Sequence, residues 1–169
     1  MNQAPLFCFG SLMDWDVVAC VLEENTDRLS MVSCKLENFR VARLPHEDYP
    51  MLVVDESRIA SGQLLCGLSK AQLDRILFYE GEEYALAPCY VKLDSGETVL
   101  ASFFSENNMP APEMTDWCFE TWVRNHKDYL LRQSAAYMSW YGKMSATDAD
   151  FYWQTYSDIE NDMPMAATG

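Results

Sequence analysis

The sequence predicts an α+β protein, rich in strands over its first two thirds and helical thereafter. Three observations carry that expectation. The chain opens on a short apolar run, Leu6-Phe7-Cys8-Phe9, which breaks at Gly10-Ser11 and passes into a helical pattern. Strand-like runs then fill residues 31–104 around one helix with a clear start signal. Beyond Asn107-Asn108-Met109-Pro110-Ala111-Pro112 the composition changes, and aromatic residues recur at helical spacing.

The opening unit reads as strand, glycine turn, helix. From Asp14 to Leu22, Val17, Val18, Val21 and Leu22 share one helical face, and the acids at the start suit the positive end of the helix dipole. Val32–Leu36 and Phe39–Leu44 read as strands punctuated by Asn38 and Pro45, followed by Met51–Val54 and Ser61–Leu68. Ser69-Lys70-Ala71-Gln72 is an S-x-x-Q capping box, in which hydroxyl and amide side chains satisfy each other's backbone donors. Leu73, Ile76 and Leu77 follow on one face, Glu80 falls seven residues after Leu73 on that face, and Gly81 supplies a stop. Ala87–Leu93 and Thr98–Phe104 flank a turn at Asp94-Ser95-Gly96.

In the last third, Met114, Trp117, Trp122, Tyr129, Leu130, Tyr137 and Trp140 trace helical spacing to Gly142, and a second helix starts near Thr147 with Phe151, Tyr152 and Tyr156. Such stripes are packing surface first. The expected organisation is therefore a main domain over 1–110 and a Trp-rich helical extension over 111–169, packed on that domain or on a second subunit as a homodimer.

A formal charge of −14, from 26 acidic against 12 basic residues, repels phosphate backbones and anionic lipid, so neither nucleic acid nor membrane is an expected partner. The six cysteines are widely spaced without a C-x-x-C pair, and only two histidines occur. That pattern does not suit a zinc site; it reads as small buried hydrophobes in a reducing compartment. No metal or cofactor is expected. The N-terminus lacks the basic start of a signal peptide and no apolar run approaches the ~20 residues of a membrane span, so the expected location is cytoplasmic.

Two places could carry chemistry. A helix presenting Leu73, Ile76 and Leu77 inward should not also present Glu80 without a reason. Burial would raise its pKa and let it exchange protons near neutrality; alternatively, Glu80 lies past the helix end in solvent. The Phe9-Gly10-Ser11-Leu12 turn exposes backbone N–H groups able to hold a carboxylate or oxyanion. Ser11 lacks the G-x-S-x-G setting of a nucleophile, and Cys8 sits in an apolar strand.

Together these pieces resemble the γ-glutamylcyclotransferase-like family, and most of all its small γ-glutamylamine cyclotransferase-type members. Phe7-Cys8-Phe9-Gly10-Ser11-Leu12 matches the family's aromatic–Gly–Ser/Thr–Leu turn, Tyr49-Pro50 a recurrent aromatic–Pro pair, and Ser61-Gly62-Gln63-Leu64 a strand with an inner glycine. Leu73 to Tyr84 resembles the family's Leu-Asp-x-x-Glu-Gly-x-x-Tyr signature. The resemblance, over about residues 6–104, implies a mixed β-barrel-like fold and a cofactor-free enzyme that cyclises a γ-glutamyl amine or amino acid to 5-oxoproline. It places the catalytic residue at Glu80 and substrate-binding residues at Phe9, Gly10, Ser11, Leu12 and Tyr84. The chain departs from the pattern at Phe9, where a Tyr is usual, at Ala85 and Ala87, where a basic residue is common, and in its extension past residue 110. Two other functions fit the same sequence: a non-catalytic module binding a small metabolite in that fold, and an interaction protein using its Trp-rich helices.

Overall fold

In the computed structural model, residues 3–24, 26–44, 49–106, 111 and 115–162 are described, with side chains in the last helix as far as Thr155. Strand β1 (Leu6–Cys8) leads through a 3-10 turn (Ser11–Met13) into α1 (Trp15–Leu22). Two long strands follow, β2 (Ser30–Arg43) and β3 (Pro50–Cys66), then α2 (Lys70–Glu80), β4 (Tyr84–Leu93) and β5 (Thr98–Glu106). The helical end comprises α3 (Phe119–Asn125), α4 (Lys127–Met138) and α5 (Ala146–Asp162).

The five strands form a closed barrel in the order β1-β3-β2-β4-β5. All neighbours are antiparallel except β1 and β5, which close the barrel in parallel at Leu6 opposite Ser102. The Ser102 amide adds a hydrogen bond to the Pro5 carbonyl at 2.9 Å. Strand alternation sorts β1 into two cores. Phe7 points into the barrel with Leu36, Leu64 and Val91. Leu6 and Cys8 point outward into a second core shared with Val17, Val21, Leu65 and Ile76.

That second core also takes Trp122 from α3, Leu130 and Met138 from α4, and Ala149 from α5. The helical end therefore covers the outer face of the barrel and α1. Lys127 braces the arrangement, meeting Asp14 at 2.8 Å and Asp16 at 2.6 Å across the start of α1. Asp14 is also the N-cap of α1, accepting from the amides of Asp16 and Val17. The capping box of α2 forms as its sequence predicts, with Gln72 N–H donating to Ser69 Oγ (3.2 Å) and Ser69 N–H to Gln72 Oε1 (2.9 Å).

Some elements differ from expectation. Asn38 does not end a strand: it takes φ of 65° inside β2, where the register with β3 shifts between Glu37 and Phe39. Asparagine tolerates that left-handed backbone, so the ladder resumes after a bulge. The polar stretch Asp55–Arg58 continues β3 as the extra residues opposite Asn38, midway along the ladder, and the exposure of Val54 (69%) and Ile59 (56%) shows that this part of the strand faces solvent. The aromatic stripe is broken at His126 into α3 and α4; Met114 lies outside the described residues. Cys8, Cys34 and Cys89 are buried thiols, as read from their neighbours, but Cys118 is exposed. Among the described residues, no helix is long and apolar enough to cross a membrane, and no group of three or more potential ligands could hold a metal ion.

Candidate active site

A cavity of about 290 Å³ opens between one end of the barrel and the helices α4 and α5. All six residues singled out in the sequence line it: Phe9, Gly10, Ser11 and Leu12 from the turn after β1, Glu80 from the end of α2, and Tyr84 from the start of β4.

Glu80 reaches the cavity because α2 stops there. Ile76, one turn earlier, is fully buried, so the same helix face carries the carboxylate to the edge of the core. Gly81 then takes φ of 86° and ends the helix, its amide bonding the Leu77 carbonyl. Glu80 is half-buried, and the cavity it lines is its outlet. Desolvation raises its carboxyl to about 7, so both protonation states are accessible near neutrality. Around it, burial pushes the phenol of Tyr79 and the thiol of Cys8 up from their ordinary values, and the Glu80 charge pushes both further. Cys8 therefore stays a thiol, its Sγ turned to the Leu6 carbonyl at 3.7 Å, and does not supply a thiolate.

The turn is held from two sides. An ideal Cβ on Gly10 would fall 2.7 Å from Pro50 Cγ, so only glycine lets the turn close against the Tyr49-Pro50 pair, which also lines the cavity. Ser11 Oγ lies 3.2 Å from the Tyr79 hydroxyl, linking the turn to the last turn of α2. The Met13 and Asp14 amides bond the Gly10 and Ser11 carbonyls at 3.0 Å each.

The opposite wall was not anticipated. It comes from the helical end: Leu130, Gln133, Ser134 and Tyr137 of α4, with Asp150 and Trp153 of α5. The Tyr137 hydroxyl donates to Asp150 Oδ1 at 2.7 Å and lies 3.1 Å from the Phe78 carbonyl. Ser134 is 2% exposed beside Tyr79, and its hydroxyl works with that of Ser11 against the rise that burial imposes on the Tyr79 phenol. Of the departures in sequence, Phe9 and the helical extension touch the cavity. Ala85 is exposed on β4, and neither it nor Ala87 is a lining residue.

Barrel, turn and signature glutamate define a class, and the comparisons agree on which. Residues 6–122 match the family model described as gamma-glutamyl cyclotransferase, AIG2-like, and the chain belongs to that family. Among curated proteins it is similar to AIG2-like protein A of Arabidopsis thaliana, 31% identical over 72% of this chain and 73% of that one. It also resembles Protein AIG2 B of the same plant, 28% identical over 80% and 79% of the two chains. A solution structure of an Arabidopsis thaliana protein superposes with a TM-score of 0.59 at 27% identity, covering 76% of this chain and 86% of that one. A solved γ-glutamyl cyclotransferase shares the fold at a TM-score of 0.51 and 11% identity, over 66% and 72% of the two chains.

Proposed function

We propose that the protein is a γ-glutamylcyclotransferase, converting a γ-glutamyl amide to 5-oxoproline and a released amine with Glu80 as the proton-transferring residue. The observation that carries this reading is one cavity lined by both the glycine turn and the Glu80 carboxyl, which burial raises to about 7.

The substrate contains its own nucleophile, the α-amine, which closes on its γ-carbonyl. The enzyme need only fold the substrate and move protons, so an intramolecular reaction gains most from positioning. Ionised Glu80 takes a proton from the α-ammonium, and the freed amine attacks the γ-carbon. The tetrahedral oxyanion forms beside the Phe9–Leu12 turn, whose backbone amides are suited to it. As the C–N bond breaks, Glu80 returns its proton to the leaving nitrogen, then accepts and relays a second one from the ring nitrogen. The products are the lactam and a protonated amine, and Glu80 ends ionised as it began. A carboxyl near 7 serves both directions of that shuttle. Tyr84, on the same wall, borders the bound substrate.

The test is 5-oxoproline release from a panel of γ-glutamyl amines, γ-glutamyl amino acids and glutathione, by wild type and Glu80→Gln. Release by wild type with loss in the variant supports the assignment. No release from any member would leave a metabolite-binding module of the same fold.

A further inference from the structure

Among the described residues lining the cavity, none is a lysine, arginine or histidine, so negative charge arising there is met by neutral donors. Two of the neutral donors are already spent. The Tyr137 hydroxyl donates to Asp150 Oδ1 at 2.7 Å, and the Cys8 thiol turns to the Leu6 carbonyl at 3.7 Å. Tyr79 is placed differently. It precedes Glu80 in the last turn of α2 and lines the same cavity, and its hydroxyl lies 3.2 Å from Ser11 Oγ in the glycine turn. From α4, the Ser134 hydroxyl bonds the same phenol.

A hydroxyl has one proton to give and two lone pairs to receive. Three hydroxyls joined by two hydrogen bonds hold three protons and use two, so one remains for a further acceptor. Both serines work against the rise that burial imposes on the Tyr79 phenol, as groups donating to its oxygen do, so the remaining proton is the phenol's own. Burial and the Glu80 charge keep that phenol protonated, and therefore a donor. Resting on the cyclotransferase reading, which forms the tetrahedral oxyanion beside the Phe9–Leu12 turn, we infer that the Tyr79 hydroxyl donates a hydrogen bond to that oxyanion while Ser11 and Ser134 hold the phenol in place. Tyr79 is then a catalytic residue beside Glu80, and one turn of α2 supplies both the proton carrier and the oxyanion donor. The oxygen gains charge only as the amine attacks, so the bond strengthens in the transition state and its loss falls on kcat rather than KM.

The experiment is Tyr79→Phe, which removes the hydroxyl and keeps the ring, assayed on the γ-glutamyl compound that wild type turns over fastest. Its kcat should fall by about 10²–10³-fold, the usual worth of one oxyanion donor, with KM little changed. The rise of kcat/KM with pH through about 7 should persist, because Glu80 is still present. A fall in kcat of less than about tenfold, or a loss borne by KM, overturns the inference while leaving the reaction standing. Disappearance of the pH step also overturns it, since Tyr79 would then act by supporting Glu80. Ser134→Ala leaves the phenol held by Ser11 alone and should lower kcat by about three- to tenfold, the worth of one neutral hydrogen bond. If Tyr79→Phe does not fold, Ser134→Ala decides, and an unchanged kcat overturns the inference. If wild type releases no 5-oxoproline from any γ-glutamyl compound, the cyclotransferase reading fails by itself. Calorimetry with 5-oxoproline, whose ring carbonyl presents the same oxygen, then judges the donor. Binding that Tyr79→Phe weakens by about tenfold supports the inference, and equal or absent binding overturns it.

Discussion

Gly81 and Asp150 are in contact: a Cβ at Gly81 would stand 2.9 Å from Asp150 Oδ2, although 69 positions separate them in sequence. The glycine that ends α2 directly after Glu80 is also the surface on which α5 rests. It has φ of 86° and ψ of 173°, a backbone region nearly closed to other residues. Gly81→Ala should therefore cost about 1–3 kcal/mol of stability by urea denaturation. It should also lower turnover, because relief of the contact moves Asp150 or the end of α2. An alanine variant with unchanged midpoint and rate would show that this contact is slack.

Glu80→Gln should fold normally and lose roughly 10²–10⁴ of its rate, the usual worth of a positioned acid–base group. In wild type, kcat/KM should rise with pH through about 7 as Glu80 ionises. The variant's residual activity should lack that step. A wild-type profile flat between pH 6 and 8 would remove Glu80 from proton transfer.

The same carboxyl makes a stability prediction with a definite sign. Its pKa in the folded state lies above its ordinary 4.5, at about 7. The folded protein thus holds a proton that the unfolded chain has released between those values, and stability falls as pH rises across that window. Glutamine carries no such penalty. Glu80→Gln should match wild type below pH 4.5 and exceed it above pH 7 by on the order of 1–3 kcal/mol. Denaturation curves of both proteins at pH 4.5 and 8 measure the difference; equal spacing at the two values would place the carboxyl in free solvent.

Tyr137→Phe removes the hydroxyl that donates to Asp150 at 2.7 Å and leaves the ring among its aromatic neighbours. The expected loss is about 1–3 kcal/mol, the range for a bond to a charged acceptor. A thermal unfolding series on the single variants and the Tyr137→Phe, Asp150→Asn double variant should give less than the sum, because the two share one interaction.

Ending the chain at His126 would strip Leu130, Tyr137, Met138 and Ala149, each less than 9% exposed, from the outer core. At about 1.5–3 kcal/mol for each large side chain, the loss is comparable with the whole stability of a small domain. Such a chain should show no cooperative unfolding transition by circular dichroism. A cooperative, monomeric product would make the helices an independent attachment.

Much of the barrel half was legible because its signals are local. The glycine after Phe9, the Ser69–Gln72 capping box and the run from Ile76 to Gly81 each announce their structure within a few residues, and Glu80 stood out as an acid on an apolar face. What escaped depends on partners far along the chain. Nothing near Leu6 states that it will meet Ser102, nor does Asp150 signal Gly81. The aromatic spacing of the last third predicts packing, which holds for Trp122, Tyr137 and Trp153 but not for Tyr129, Phe151 and Tyr152, which are exposed; Tyr137 and Trp153 also line the cavity, a duty periodicity does not describe. The departure at Ala85 likewise looked relevant to substrate until the alternation of β4 put it on the exposed side.

The barrel's seam has a consequence for anything that occupies the cavity. β1 is three residues long and meets β5 through the single pair Leu6 and Ser102, whereas β2 and β3 share thirteen paired positions. Phe9, just past one side of the seam, and Phe104, on the other, both face the cavity. A molecule seated there touches both staves, and one that binds only the closed form must tighten the join by mass action. Occupancy and closure are then one equilibrium: hydrogen exchange at the Ser102 amide should slow when the cavity fills, making this small seam a built-in gauge of whether the protein has found its ligand.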